Sequence, residues 1–329
     1  MKICFIDKTE FKYDYKDINN KKLRGAENIL INFSTEICKL GHEVVVFNNC
    51  VNEYRFTNFS WLNISRIKSN NYNFDVVISN NDTNLLDNIY AKKKFVISHS
   101  LQTFEKFIRK RQIISYIKNK PVYLLLGNYH KLKMSKLFSL YGTKIINYGL
   151  DKNFLETKLT NNIDNNLSMF TSRPDRNLNI LLDVWKKYIY LKNKTYKLYI
   201  TPINKNLRNY NIFNRNLVDK NTYISQIIKS RLMIIPGHKA ELYCLAASEA
   251  SELCIPIVTM GIGALSERVQ HEKTGLIAKN IKQFGDYILE IYSNNELWTD
   301  IRNNLKTLRG NKNWSYETKK FLDVLEINE

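Results

Sequence analysis

The stretch Arg231–Ala278 reads RLMIIPGHKAELYCLAASEASELCIPIVTMGIGALSERVQHEKTGLIA. An apolar run, Leu232–Ile235, stops at Pro236 and Gly237. A helical pattern follows from about Leu242 to Leu253, and Pro256 opens a second apolar run, Ile257–Met260. Strand, helix, strand is the expected order. Glu241 and Glu249 lie eight positions apart, so on one helix the second carboxylate is turned about 80° from the first and set about 12 Å along the axis. Both would face one cleft. With the helix starting just after Glu241, the open N–H groups of Leu242, Tyr243 and Cys244 and the positive end of the helix dipole would form an anion site. That site would lie at the carboxyl edge of a parallel sheet, where open α/β sheets bind ligands. An amphipathic helix with two solvated glutamates shows the same spacing, so the pair gains meaning only from the ordered set around it.

At 329 residues the chain exceeds what one core usually serves, and two domains of about 150 residues are expected. A hydrophobic content of 44% permits two cores. No apolar run of about 18 residues occurs, and Met1–Asp7 reaches a charge before a signal-peptide core forms. A soluble, cytoplasmic protein is the expectation, with peripheral membrane contact left open. The five cysteines (Cys4, Cys38, Cys50, Cys244, Cys254) are odd in number and lack metal-type spacing, so they read as free thiols in a reducing compartment. The net charge of +19 comes from 50 Lys and Arg against 31 Asp and Glu. It suits nucleic acid, an anionic membrane or phosphorylated ligands and does not choose among them; Asn, Lys, Ile and Tyr richness from AT-biased coding is a further source of such charge.

From the start, Lys2–Asp7 reads as a strand, followed by a polar loop ending in Leu23-Arg24-Gly25-Ala26-Glu27. Ala26–Leu40 has helical periodicity, with Gly41 as its stop, and Glu43–Phe47 is the next strand. Further strands are expected at Phe74–Ser79, Phe95–Ser98, Val122–Gly127 and Lys144–Tyr148. Alternating β and α elements argue for parallel sheets covered on both faces. His99 follows Ser98 at a strand's carboxyl end. Lys92–Lys120 holds nine Lys or Arg residues and one acidic residue, Glu105. Phe104, Phe107, Ile108, Ile114 and Ile117 would share one helical face there, suited either to a core or to an anionic bilayer. After a polar linker at Lys158–Asn166, the strand Leu167–Thr171 leads into Ser172-Arg173-Pro174-Asp175-Arg176-Asn177-Leu178. Two arginines at a strand's carboxyl end suit a diphosphate, because guanidinium forks pair with phosphate oxygens. Ile203–Lys229 is weakly patterned and helical in part, and Trp314–Ile327 reads as a terminal helix.

The ordered set Glu241, Glu249-Ala250, Ile255-Pro256-Ile257-Val258, Gly261-Ile262-Gly263 with Glu267, and Thr274–Ile277 resembles the donor-binding signature of the retaining glycosyltransferase family 4, the glycosyl transferases group 1. The resemblance is strong over residues 167–278 and loose before that. It implies the GT-B fold: an α/β chain of two Rossmann-like domains with parallel sheets facing a central cleft. The expected divisions are 1–150 on the acceptor side, 151–310 for the nucleotide sugar, and 311–329 as a helix crossing back. The implied activity moves a sugar from a nucleotide-diphosphate donor to a hydroxyl of a glycan or lipid-linked acceptor, with retention. Arg173 and Arg176, with the amides of Tyr243 and Cys244, would hold the diphosphate; Glu249 would accept from the ribose, and Glu241 and His99 would face the transferred sugar. Gly25 and Ala26 would let their loop approach donor or acceptor. No metal or other cofactor is required on this scheme. The sequence departs from the family pattern at Tyr148, usually Asn; at Ser172 and Asn177, where Gly is usual; and at Cys244, often Gly. A catalytically silent nucleotide- or glycan-binding protein and a nucleotide-sugar epimerase are therefore alternatives. Nucleic-acid binding has charge in its favour but no zinc-finger spacing or RRM-type signature.

Overall fold

The computed structural model describes every residue except 20–22, 24, 70, 71, 88 and 326–329. Arg24 of the first loop and Ile327 of the expected terminal helix thus lie outside the described residues. Two units are formed, Met1–Gly149 together with Trp314–Glu329, and Leu150–Asn313.

The first unit is built on β1 (Lys2–Ile6), β2 (Glu43–Asn48), β3 (Tyr54–Arg55), β4 (Phe59–Asn63), β5 (Asn73–Asn80), β6 (Tyr90–Ile97), β7 (Val122–Leu125) and β8 (Thr143–Ile145), in the order β3-β4-β2-β1-β5-β6-β7-β8. All pairings are parallel except that of β3 with β4. β1 and β2 are buried over nearly their whole length, as expected of strands covered on both faces. The helix Gly25–Lys39 follows β1 and turns Ile29, Leu30, Phe33 and Ile37 inward. The terminal helix Trp314–Leu325 packs on it, with the rings of Phe33 and Phe321 stacked at 4.3 Å and Trp314 edge-on to Phe33 at 5.2 Å.

The segment expected to present one apolar helical face is instead two short helices, Phe104–Arg109 and Ile113–Asn119, broken at Arg111, whose φ is +53°. The break separates side chains the periodicity had grouped. Phe107 is buried against Tyr116 and Phe138, whereas Phe104, Ile108, Ile114 and Ile117 are exposed.

The second unit is a wholly parallel sheet of β9 (Asp164–Phe170), β10 (Lys197–Ile200), β11 (Ile212–Asn214), β12 (Ser230–Ile234), β13 (Ile257–Thr259) and β14 (Gly275–Ile277), in the order β11-β10-β9-β12-β13-β14. Residues of alternate orientation along the strands feed two cores. Leu232, Ile234 and Val258 join Trp185, Phe284 and Ile288 on one side, while Met169, Met233 and Ile257 join Ile224, Ile227 and Ala250 on the other. The order reverses between β9 and β12, so two neighbouring connections leave in opposite directions and open a crevice at the strands' carboxyl ends.

Candidate donor site of the second unit

The crevice is lined by the loops after β9 and β12. In the first loop, Arg173 lies on Asp175 at 2.8 Å with its side chain 73% exposed, a local pair facing solvent. Arg176 is held differently: its side chain is 16% exposed, with Nη1 3.2 Å from Asp175 and Nε 3.3 Å from Glu241. The two arginines read alike in the sequence are unequal here, and only Arg176 reaches the glutamate of the second loop.

That loop begins at Gly237, whose carbonyl accepts from Asn177 Nδ2 at 2.6 Å. Glu241 is tied at three points: its amide donates to His238 O, its carbonyl accepts from Ala264, and its Oε1 accepts from the Cys244 amide at 3.1 Å. Gly263, with φ at +76°, passes so close that a Cβ there would collide with the His238 and Glu241 carbonyls. Any side chain would therefore push Glu241 from Arg176.

The helix does not start just after Glu241. It spans Leu245–Glu252, with Cys244 as its N-cap in left-handed conformation at φ +62°. Glu241 thus lies off the helix, the helical 80° relation to Glu249 does not apply, and Leu242 and Tyr243 are buried turn residues. The Cys244 amide, expected to meet an anion, already donates to Glu241. Helix geometry instead leaves the amides of Leu245 and Ala246 without intrahelical partners. Tyr243 is clamped by Arg268, whose guanidinium lies 3.9 Å over its ring and whose Nε donates to its carbonyl at 3.1 Å.

Glu249, one turn into the helix, accepts from Tyr223 Oη at 3.1 Å. Burial pushes its carboxyl up to about 7, against the opposing pull of Tyr223, Lys220 and Arg215, while Asp151 raises it further. Lys220 is paired with Asp151, and the Arg215 guanidinium lies 4.7 Å over the Tyr223 ring. The Cys244 thiol, its pKa raised chiefly by burial and then by Glu241, also feels Glu249. Both glutamates therefore flank one turn of backbone. Tyr223, Arg215 and Asp175 were not picked out from the sequence; the first two fall in its weakly patterned segment, where nothing marked them.

In the first unit His99 lies two residues past the end of β6. Its Nε2 is 3.3 Å from Asn80 Oδ1 and its Nδ1 3.2 Å from Tyr148 Oη, and its amide donates to Asn81 Oδ1. A carboxamide oxygen only accepts, so Nε2 carries the proton and Nδ1 accepts from the tyrosine. Burial, with a lesser push from His130, lowers its pKa to about 4, keeping the ring neutral near pH 7. Tyr148, where the family usually has Asn, thus holds the histidine tautomer. Gly25 and Ala26 form the first turn of the Gly25–Lys39 helix. Among the described residues no group of three or more His, Cys, Asp and Glu side chains is placed to hold a metal, and no helix is long and apolar enough to cross a membrane.

Residues 203–307, within the second unit, match the family model described as Glycosyl transferases group 1. Among solved structures the chain is similar to sucrose-phosphate synthase from Thermosynechococcus elongatus (11% identity, TM-score 0.69, 98% of each chain covered). It is similar also to Alr3699/HepE from Anabaena, solved with UDP and glucose (13% identity, TM-score 0.69, 100% of each chain). A third is WaaG, a glycosyltransferase involved in lipopolysaccharide biosynthesis (11% identity, TM-score 0.69, 99% of this chain and 100% of that one). The fold is GT-B. No curated protein sequence matches the chain.

Proposed function

We propose that the protein is a retaining, metal-independent glycosyltransferase of family 4 type, taking its sugar from a nucleotide diphosphate. The observation that carries the reading is the Arg176–Glu241 contact with Glu249 one turn into the following helix, the two glutamates lying inside the segment that matches the glycosyl transferases group 1. Arg176 would supply a guanidinium fork to the departing diphosphate. The amides of Leu245 and Ala246 would add donors from the helix start. Glu249 would accept the ribose hydroxyls, and Glu241 would orient the sugar. His99, neutral and fixed as the Nε2–H tautomer, and the small residues Gly25 and Ala26 are assigned to handling the sugar and the acceptor. Alr3699/HepE was solved with UDP-glucose, which makes UDP-sugars the first donors to try.

Calorimetric titration with UDP and a panel of nucleotide sugars tests the donor site. Binding should be lost in Arg176→Gln and Glu249→Ala, and equal binding in all three proteins would reject the assignment. Following the anomeric proton by NMR during donor turnover then separates the outcomes. A free or transferred sugar of unchanged configuration supports the enzyme, an epimerised sugar still on its nucleotide supports the epimerase, and binding without turnover supports the silent protein.

The acceptor is proposed to be lipid-linked or to lie beside an anionic bilayer. Phe104, Ile108, Ile114 and Ile117 are 49% to 80% exposed, next to Arg109, Lys110, Arg111 and Lys118. None of these four cations enters an ion pair among the described residues. Four large apolar side chains in a rim of unpaired cations match an anionic interface, each cation contributing about 1 kcal/mol there. Sedimentation at physiological salt should show binding to anionic vesicles and little to neutral ones, weakened by the double change Ile114→Ser with Ile117→Ser; equal weak binding to both vesicle types ends this part of the proposal.

A further inference from the structure

Away from Arg176, the face of the second sheet under the helix Lys220–Ile227 holds a cavity of about 410 Å³. Its wall carries Lys197, Arg215 and Lys229 against one carboxylate, Asp164, with Tyr199 and Gln226 between them. Asp164 is 3.4 Å from Lys197, so among the described ion pairs Arg215 and Lys229 have no acidic partner. Arg215 is 9% exposed. Its Nε is buried without a hydrogen-bond partner, and its Nη1 makes only a long contact, 3.5 Å, with the Asn216 carbonyl. The Gln226 Oε1 is likewise buried and unpartnered. A buried guanidinium nitrogen and a buried amide oxygen each left unmatched are costly, and the volume falls in the range of small-molecule sites.

We propose that this cavity is a second binding site, for a small phosphorylated sugar. The phosphate would meet Arg215 and Lys229, as charge-assisted bonds favour. A hydroxyl would donate to Gln226 Oε1, a need that a bare anion does not meet. The Tyr199 ring, stacked on Phe213 at 5.1 Å, offers the flat apolar wall against which a sugar ring packs. Arg215 also joins this cavity to the donor site, since it covers Tyr223, which donates to Glu249. An anion in the cavity would neutralise the charge that favours the Glu249 carboxylate. The site therefore acts as an effector site that weakens nucleotide binding. The coupling, unlike the cavity itself, rests on the donor assignment above.

The test uses the full chain and glucose 6-phosphate as probe, read by thermal unfolding. At tenfold excess over Kd, wild type should gain about 3–6 °C. The apparent Kd should rise at least tenfold in Lys229→Gln and in Arg215→Gln, and stay within twofold in Arg176→Gln. Glucose should give no shift, and inorganic phosphate a smaller one. No shift in wild type, an undiminished shift in Lys229→Gln, or a loss confined to Arg176→Gln overturns the site; the last result would place the probe in the donor crevice. For the coupling, glucose 6-phosphate should weaken UDP binding at least threefold in wild type and not in Lys229→Gln; unchanged UDP affinity in wild type overturns the effector role. If UDP does not bind at all, the donor reading has failed, and the thermal measurement still decides the cavity.

Discussion

Replacing Glu249 by Gln should stabilise the protein and abolish its donor affinity, and the stabilisation should depend on pH. Burial lifts the Glu249 carboxyl from the ordinary 4.5 to about 7, equivalent to about 3 kcal/mol of preference for the neutral form. Below pH 4.5 the group is protonated in the folded and unfolded chains alike and contributes no pH-dependent difference. As pH rises toward 7, the unfolded chain ionises freely while the folded one resists, so folding loses stability across that window and nothing further above it. Glu249→Gln cannot ionise. Its melting temperature should match wild type near pH 4.5 and exceed it by about 6–12 °C at pH 8, for a unit of this size. Ribose hydroxyls donating to the carboxylate favour its ionised form. UDP binding should therefore release a proton below pH 7, and wild-type affinity should fall about fivefold from pH 7 to pH 6, with the ionised fraction of a group titrating near 7. Thermal melts of both proteins from pH 4.5 to 8.5, with UDP titrations in buffers of different ionisation enthalpy, measure each quantity. A Gln variant no more stable than wild type at pH 8, or one that still binds UDP, refutes the reasoning.

Arg176→Gln should lower turnover about 10²–10³-fold, whereas Arg173→Gln, at a solvent-facing pair with Asp175, should change it less than tenfold; equal losses in steady-state assays would contradict the distinction. Nitrogen NMR of His99 should show a protonated Nε2 and an unprotonated Nδ1 at pH 7, with titration near pH 4 rather than 6.5; Tyr148→Phe should disturb this and cost about 1–3 kcal/mol by leaving Nδ1 unpaired. Cys244→Gly should keep stability within about 1 kcal/mol, because relief of the left-handed backbone offsets the lost side chain and added chain entropy. Cys244→Val should cost clearly more than Gly in urea unfolding, and the reverse order would show that the backbone is not what constrains the position.

The alternation of strands and helices was legible because buried parallel strands carry continuous apolar runs, as in β2 and β12. The short or half-covered strands were not. Ile212–Asn214 is a three-residue edge strand, and Phe59–Asn63 is too brief to show alternation. In the candidate donor site, the residue types were legible and their geometry was not. Leu242 and Tyr243 continue the apolar pattern of the helix that follows, yet they are buried in a turn. Periodicity reports burial and cannot tell a buried turn from a helix. Phe107 shows the same limit: its spacing fits the exposed Phe104 and Ile108, but the break at Arg111 lets it enter the core. Tyr223 and Arg215 had no local signal, since their importance comes from a contact with Glu249 and a ring made by folding.

Two departures from the family pattern bear on whether the site is intact. Asn177 and Cys244 stand where glycine is usual, and a glycine lost from a phosphate-binding loop would ordinarily argue that the loop has collapsed. Here both residues hold the left-handed conformation that glycine takes easily, each at φ +62°. Asn tolerates it well; Cys does so at a cost of about 1–2 kcal/mol. The backbone path is thus retained against local preference, and what retains it is visible. Asn177 Nδ2 is tied to the Gly237 carbonyl, and the Cys244 amide to Glu241 Oε1. Both ties end in the loop that carries Glu241, the partner of Arg176. A strained conformation persists only where the surroundings over-determine it, and here those surroundings are the residues assigned to the donor. The substitutions therefore alter the side chains at the loop while leaving in place the path on which the proposed chemistry depends.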